Sequence, residues 1–328
     1  MAGKIRWGIM GTGSIAHKMV EGLRVLPDAE VAAVGSRSRG GADAFADEYG
    51  IPRRHGDYES LAADPEVDVV YVASPHSCHR ANTLLALEGG KAVLCEKPFA
   101  INRREAEEMV AMARAKNLFL MEAMWTRFLP VLVRVREWLR EGRIGVPLMV
   151  SADFGFQADF DPLSRLFDPE FGGGALLDVG VYAVSFAAMV FGEAPDRIAG
   201  LDQKCPSGVD GLNGAVLGYP CGGLALVSSA VRANTPQEAR ITGTEGSIHL
   251  PGPFWCGTRA VLTAGDGAPE EHNLPFEGNG YNCQAREVMD CIRAGRTESA
   301  VMPWAETLSV METMDRMRAQ WGLKYPME

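Results

Sequence analysis

The chain has 328 residues and a formal net charge of −10, with 47% hydrophobic and 23% charged residues. This composition is that of an ordinary globular protein, and the length predicts one or two domains. The acidic balance argues against nucleic acid or an anionic membrane as the main partner. We expect no membrane-spanning run and no signal peptide. Seven cysteines without a C-x-x-C spacing predict buried thiols and a reducing, cytoplasmic location.

The chain opens on a strand, a glycine turn and a helix. An apolar strand at residues 5–10 runs into Gly11-Thr12-Gly13-Ser14-Ile15-Ala16, followed by an amphipathic helix at 14–26. Gly11 permits the tight turn, Gly13 lets the backbone approach a pyrophosphate, and the helix N-terminus favours the anion. A structural glycine turn is the alternative, but the second strand at 31–36 favours a dinucleotide site.

The tip of that second strand indicates which dinucleotide binds. An NAD site places an acidic residue there, whereas this chain has Gly35-Ser36-Arg37-Ser38-Arg39. Ser36 and the guanidinium of Arg37 suit the 2′-phosphate of NADP(H). The alternative is a solvated basic loop, and we favour NADP(H).

Strands and helices alternate through the first part of the chain, which predicts a doubly wound parallel sheet of the Rossmann type. The further predicted strands are 67–73, 92–96 and 119–122, and the further helices are 42–49, 58–63, 78–88 and 103–116. We assign residues 1–122 to an NADP-binding Rossmann domain.

The pattern changes near residue 123. A predicted helix at 130–141 precedes strands at 148–156, 198–203, 214–219, 222–230, 239–243 and 246–250, with helices at 175–191, 281–293 and 303–321. This predicts an α+β domain over residues 123–328 with a large, mostly antiparallel open sheet. One face of such a sheet must be covered by helices or by a second subunit. We expect this domain to bind the substrate and to form a homodimer.

Two clusters follow predicted strands, at the sheet edge where ligands bind. Ser74-Pro75-His76-Ser77-Cys78-His79 is expected to border the nicotinamide through Ser74, His76 and His79. A metal site is the weaker alternative, because no fourth ligand lies nearby. Glu96-Lys97-Pro98 follows the next strand, and we expect Glu96 and Lys97 to contact the cofactor. Lys97 could also orient a substrate hydroxyl.

A third cluster opens the helix at 175–191. Three glycines precede Asp178 and Tyr182, which are four residues apart and share one helix face. A capping aspartate and a core tyrosine are the structural alternative.

These motifs, taken in order, resemble the glucose–fructose oxidoreductase/inositol dehydrogenase/MocA (Gfo/Idh/MocA) family. Tyr182, Met121-Glu122-Ala123-Met124-Trp125-Thr126-Arg127-Phe128 and Pro253-Phe254-Trp255-Cys256 resemble its dimeric dihydrodiol and NADP-dependent D-xylose dehydrogenase branch. The resemblance implies NADP, a dimer through the C-terminal sheet, a cis peptide between Lys97 and Pro98, and a Lys97–Tyr182 catalytic pair. One departure is Gly211-Leu212, in a predicted loop where polar residues are expected.

The resulting hypothesis is hydride transfer between the nicotinamide and a CH–OH group of a sugar or cyclic diol. Tyr182 would exchange the hydroxyl proton, the Lys97 ammonium would stabilise its phenolate, and Asp178 would orient substrate hydroxyls or Lys97. Substrate contacts are expected from aromatic faces and two arginines: Trp125, Phe154, Trp255, Tyr281, Arg127 and Arg165.

Three rival functions remain open on the sequence alone. They are a sugar transhydrogenase that retains NADP, a glycosidase that uses the nicotinamide transiently, and a non-catalytic NADP-sensing regulator. The regulator ranks lowest, because Lys97, Asp178 and Tyr182 are all present. No metal is expected, and the sequence does not identify the substrate.

Overall fold

A six-stranded parallel sheet forms the first of two compact units in the computed structural model, which describes residues 3–328. Its strands are β1 (Ile5–Met10), β2 (Ala29–Gly35), β3 (Arg53–His55), β4 (Val69–Val72), β5 (Ala92–Cys95) and β6 (Leu120–Glu122). Their spatial order is β3-β2-β1-β4-β5-β6. The order reverses between β1 and β4, where doubly wound sheets bind their ligands.

Helices connect the parallel strands of this unit. They are α1 (Ser14–Arg24), α2 (Arg39–Tyr49), α3 (Tyr58–Ala62), α4 (His79–Glu88) and α5 (Arg103–Lys116). Every residue of β4 and β5 is buried, as expected for strands with both faces covered. The short strand β3 was not predicted, because its Arg-Arg-His sequence lacks an apolar pattern.

An eight-stranded sheet forms the second unit. Its strands are β7 (Pro147–Gly155), β8 (Arg197–Lys204), β9 (Asp210–Gly218), β10 (Leu224–Ala230), β11 (Ala239–Gly243), β12 (Gly246–Leu250), β13 (Arg259–Ala264) and β14 (Glu270–Asn273). The order is β14-β13-β12-β11-β7-β10-β9-β8, and only the β7–β10 pair is parallel. The predicted α/β plus α+β fold class is confirmed.

Three details of this unit differ from the predictions. Strands β13 and β14 were missed, and β14 consists entirely of polar residues. The loop predicted to extend to Leu212 ends earlier, because β9 already begins at Asp210. Asp210 is buried there and accepts a hydrogen bond. The helix predicted at 175–191 begins with a π-helical turn, Leu176–Gly180, before α7 (Val181–Phe191).

The compact units also differ from the division predicted at residue 122. The first unit includes residues 123–128 and 277–307, because α8 (Tyr281–Arg293) packs on α1. The second contains α6 (Pro130–Arg140) and most of α9 (Trp304–Trp321). The binding roles assigned to the two domains stay predictions.

One segment contradicts the expectation that no apolar run is long enough to span a membrane. Pro169–Phe191 has the required length and hydropathy, but 83% of its apolar window is buried in the protein. A core helix of a globular protein has the same properties, and α7 packs on β7 and β10.

Candidate functional site

The glycine turn between β1 and α1 has the open geometry that a pyrophosphate requires. Gly11 has a φ of +111°, and a Cβ there would lie 2.9 Å from the carbonyl oxygen of Ala73. A Cβ on Gly13 would meet no described atom within 4 Å, and no described side chain caps α1. The first N–H groups of α1 can therefore receive an anion. The remaining predicted turn residues are partly or fully exposed: Thr12, Ser14 and Ile15.

The end of β2 presents Arg37 to solvent. Within residues 3–328 its side chain makes no hydrogen bond or ion pair, whereas Arg39 pairs with Asp43 at 3.0 Å. The positive charge of Arg37 acts on the Tyr58 phenol. Burial raises the pKa of that phenol, and the charge of Arg37 opposes the increase. A Cβ on Gly41 would lie only 2.8 Å from Ser36 Oγ, so the glycine leaves room for this hydroxyl. Ser36 and Arg37 thus directly follow β2, the strand next to β1 and its glycine turn.

The loop after β4 supplies an unsatisfied hydroxyl. Ser74 Oγ is buried and has no hydrogen-bond partner among the described residues. Such a group is costly unless a ligand or water supplies a partner. Together with the open space at Gly13, this orphaned hydroxyl fits a dinucleotide bound along the sheet edge.

His79 joins two loops of this edge. The ring is fully buried, with Nδ1 2.8 Å from the carbonyl oxygen of Pro98 and Nε2 2.9 Å from that of Ser74. Through these two contacts the His79 ring links the loop after β4 to the turn after β5. The His76 ring lies 5.7 Å from it, and no group of three potential metal-ligating side chains was found in residues 3–328.

The turn that carries Lys97 is held by buried carboxylates. The peptide between Lys97 and Pro98 is cis, which confirms the implication of the resemblance. Tyr71 donates a hydrogen bond to Glu96, and the other Glu96 oxygen accepts from the Lys97 N–H at 3.2 Å. Lys97 is half-buried at this position.

Glu122 is a supporting residue of this turn that the sequence reasoning did not assign. Its carboxylate accepts from the Phe99 N–H at 3.2 Å and from Thr307 Oγ1 at 3.1 Å. Only 1% of the residue is exposed, and this burial raises the pKa of Glu122 to about 7. The available signal was its position at the end of a buried strand, close to that of Glu96, which directly follows β5.

Three predicted substrate contacts also lie in the first unit. Trp125 stacks on Tyr281, with 4.4 Å between ring centroids and 15° between the planes. Arg127 is 2% exposed and forms an ion pair with Glu306. Its guanidinium therefore takes part in an internal ion pair, and its role as a substrate contact stays a prediction.

The second unit gathers the predicted aromatic residues around Tyr182. Phe154 and Trp255 are stacked, with centroids 4.7 Å apart and planes 7° apart. The Tyr182 ring is tilted against both, at 5.4 Å from Phe154 and 6.1 Å from Trp255. Both Tyr182 and Phe154 are buried. The structure thus places a phenol beside a flat apolar surface.

Asp178 has a partner that the sequence reasoning did not foresee. Arg165 Nη1 lies 3.0 Å from Asp178 Oδ1, where 57% of the arginine side chain and 8% of the aspartate side chain are exposed. Arg165 was predicted to contact substrate. In the structure it forms an ion pair with the carboxylate that was predicted to orient substrate, and both substrate roles stay predictions.

The buried carboxylate of Asp210 lies against Gly174, the last of the three glycines that precede Asp178. Its Oδ2 accepts from the Leu176 N–H at 2.7 Å and from Asn213 Nδ2 at 2.6 Å. Gly174 has a φ of +112°, and a Cβ there would lie 2.2 Å from Asp210 Oδ1. Burial raises the pKa of Asp210 to about 7. The start of the helix that carries Asp178 and Tyr182 is thus set by a buried acid far along the chain.

Comparison with known proteins agrees with this architecture. Residues 5–124 match the "Oxidoreductase family, NAD-binding Rossmann fold", and residues 132–249 match the "GFO/IDH/MocA C-terminal domain". The trans-1,2-dihydrobenzene-1,2-diol dehydrogenase of Mus musculus is 38% identical, over 99% of each chain.

Two solved structures share the fold over nearly the whole chain. An aldose-aldose oxidoreductase from Caulobacter crescentus superposes with a TM-score of 0.89 at 26% identity, covering 96% of this chain and 97% of that one. A 3-ketoreductase from Actinomadura kijaniata, in complex with NADP and TDP-benzene, gives 0.85 at 26% identity with the same coverage.

Proposed function

Because the chain belongs to the Gfo/Idh/MocA oxidoreductase family, we propose that it is an NADP-dependent dehydrogenase acting on a CH–OH group of a cyclic diol or sugar. The observation that carries the proposal is the Tyr182 phenol beside the stacked Phe154 and Trp255 rings. Flat apolar faces bind arenes and the C–H faces of sugars, and the phenol supplies the proton-exchanging group.

The cofactor would be held by the first unit. The N-terminus of α1 and the turn at Gly13 would receive the pyrophosphate, Ser74 Oγ would gain a partner, and Arg37 would bind a 2′-phosphate. When bound, the nicotinamide accepts or donates hydride.

The chain's own residues would handle the proton. Tyr182 takes the proton of the substrate hydroxyl in oxidation and returns it in reduction. The ammonium of Lys97 favours the phenolate form, and Asp178 binds a neighbouring substrate hydroxyl. These roles follow from the family resemblance of the motifs that contain the three residues.

A screen of nicotinamide absorbance at 340 nm tests the proposal. We expect absorbance to rise with NADP and a trans-dihydrodiol or an aldose, and to rise more slowly with NAD. No change with any cyclic diol or aldose, with either cofactor, would contradict it.

A sugar transhydrogenase is the second candidate, favoured by the likeness to the aldose-aldose oxidoreductase. Such an enzyme would keep its cofactor between two half-reactions. Bound NADP absorbance that survives gel filtration, with no net change at 340 nm during turnover, would support this candidate.

We also propose a homodimer through the open face of the eight-stranded sheet. Exposed apolar side chains are aligned across its strands, with Leu224 opposite Met149 and Leu226 opposite Val216. Their exposed fractions are 37%, 44%, 42% and 43% respectively. A contiguous apolar surface of this kind is typical of an interface. The cytoplasmic location, which the free cysteines support, is likewise a proposal.

A further inference from the structure

Gln237, between β10 and β11, has an unusual backbone conformation. Its φ is +59°, and within residues 3–328 Asn117 is the other non-glycine residue with positive φ. Asparagine tolerates this region better than most residues, but glutamine does not share that tolerance. The contacts around Gln237 must therefore hold it there.

Both backbone groups of Gln237 are used. Its N–H donates to Asp153 Oδ2 at 2.8 Å, and its carbonyl oxygen accepts from the Phe254 N–H at 2.8 Å. The next residue strengthens this attachment, because Glu238 N–H donates to Asp153 Oδ1 at 3.2 Å. The residue thus links β7 to the segment that contains Trp255.

The Gln237 side chain makes the same link a second time. Nε2 donates to the carbonyl oxygen of Gly155 at 2.9 Å, and Oε1 accepts from Trp255 Nε1 at 3.0 Å. Gly155 directly follows Phe154 in β7. One amide therefore joins the indole of Trp255 to the strand that carries its stacking partner.

We propose that Gln237 is a positioning residue that sets the orientation of Trp255 over Phe154, and so fixes the flat surface that binds the substrate ring. The substrate-binding part of this inference rests on the proposed function. A stacked pair of rings has few directional contacts of its own, whereas a hydrogen bond to the indole N–H fixes its rotation.

Two substitutions separate the roles of the amide. Gln237→Met keeps the length and removes both side-chain hydrogen bonds, whereas Gln237→Glu keeps an acceptor for Trp255 Nε1. Gln203→Met is the matched control, because Gln203 is exposed on β8 and its side chain makes no hydrogen bond within residues 3–328. Each variant is also made in a Trp255→Phe background.

The first readout is the near-ultraviolet circular dichroism and tryptophan emission of the protein without ligand. We expect Gln237→Met to change the spectrum in the native background and not in the Trp255→Phe background. Gln237→Glu should retain most of the native spectrum, and Gln203→Met all of it. If Gln237→Met does not fold, Gln237→Glu and its double mutant with Trp255→Phe test the inference instead. The small spectral change that Gln237→Glu causes must then be absent from the double mutant.

The second readout is steady-state kinetics with a cyclic diol or aldose. Loss of the hydrogen bond to Trp255 should raise KM about threefold to tenfold, with little change in kcat or in NADP affinity. A native spectrum together with a native KM in Gln237→Met would overturn the inference. An inactive wild-type protein would refute the proposed function. The spectral test needs no substrate, so it would still decide whether Gln237 orients Trp255.

Discussion

Arg165 and Asp178 form an ion pair of 3.0 Å between an exposed loop and the π-helical turn that precedes α7. A nearly buried carboxylate needs such compensation, because burial of an unpaired charge is expensive. The pair therefore links the loop to the helix segment that carries Asp178 and Tyr182.

Replacing Arg165 should weaken substrate binding more than cofactor binding. We expect Arg165→Ala to lower kcat/KM about tenfold, because Asp178 loses the group that orients it. The dissociation constant for NADP should stay within twofold. Arg197→Ala is the control, because Arg197 is exposed and makes only a long contact of 3.6 Å to Asp196. An unchanged kcat/KM in Arg165→Ala would remove the pair from the site.

Arg37 should determine which dinucleotide is preferred. Arg37→Ala should reduce the preference for NADP over NAD by about tenfold to a hundredfold, as expected for loss of a charge-assisted contact to a phosphate. Arg39→Ala is the control, because Arg39 is engaged by Asp43. Fluorescence titration with NADPH and NADH measures the effect, and equal losses in both variants would argue against a specific role of Arg37.

Local sequence patterns predicted most of the fold and part of the site. The strand β1 and its glycine turn are contiguous in sequence, and Arg37 follows the next predicted strand directly, so local patterns were enough to recognise them. The roles of Glu122, Asp210 and Gln237 did not show in local patterns, because each acts on a segment distant in the chain; only Glu122 had a signal, its position at the end of a buried strand. Strand β14 was missed for a different reason: its polar residues carry no alternating pattern, and it pairs only with β13.

Glu122 should make stability fall as pH rises towards neutrality. Burial raises the pKa of Glu122 from an ordinary 4.5 to about 7, so the folded state holds a proton that the unfolded chain has released. Its contribution to stability is therefore present below about pH 4.5 and lost as pH rises through 7.

Glu122→Gln should flatten this dependence. The melting temperature, measured between pH 5 and 7, should decline less in the variant than in the wild type. Asp210, whose pKa burial also raises to about 7, preserves part of the slope. Glu88→Gln, at the exposed end of α4, should leave the profile unchanged. A parallel decline in wild type and Glu122→Gln would show that Glu122 does not hold this proton.

The open sheet face should control assembly. Leu226→Lys places a charge in the centre of the apolar rows and should convert a dimer of 35.4 kDa chains into monomers. Leu163→Lys is the control, because Leu163 is 84% exposed but lies outside the sheet. Sedimentation velocity distinguishes the species, and a dimer that persists in Leu226→Lys would place the interface elsewhere.

The turnover of Tyr182→Phe decides whether this phenol exchanges the proton of the substrate hydroxyl. Phenylalanine keeps the ring that packs on Phe154 and Trp255 and removes only the hydroxyl that would exchange the proton. We predict that kcat falls about a hundredfold to ten-thousandfold, while the NADP dissociation constant stays within twofold. A variant that turns over cyclic diols or aldoses at the wild-type rate would contradict the account.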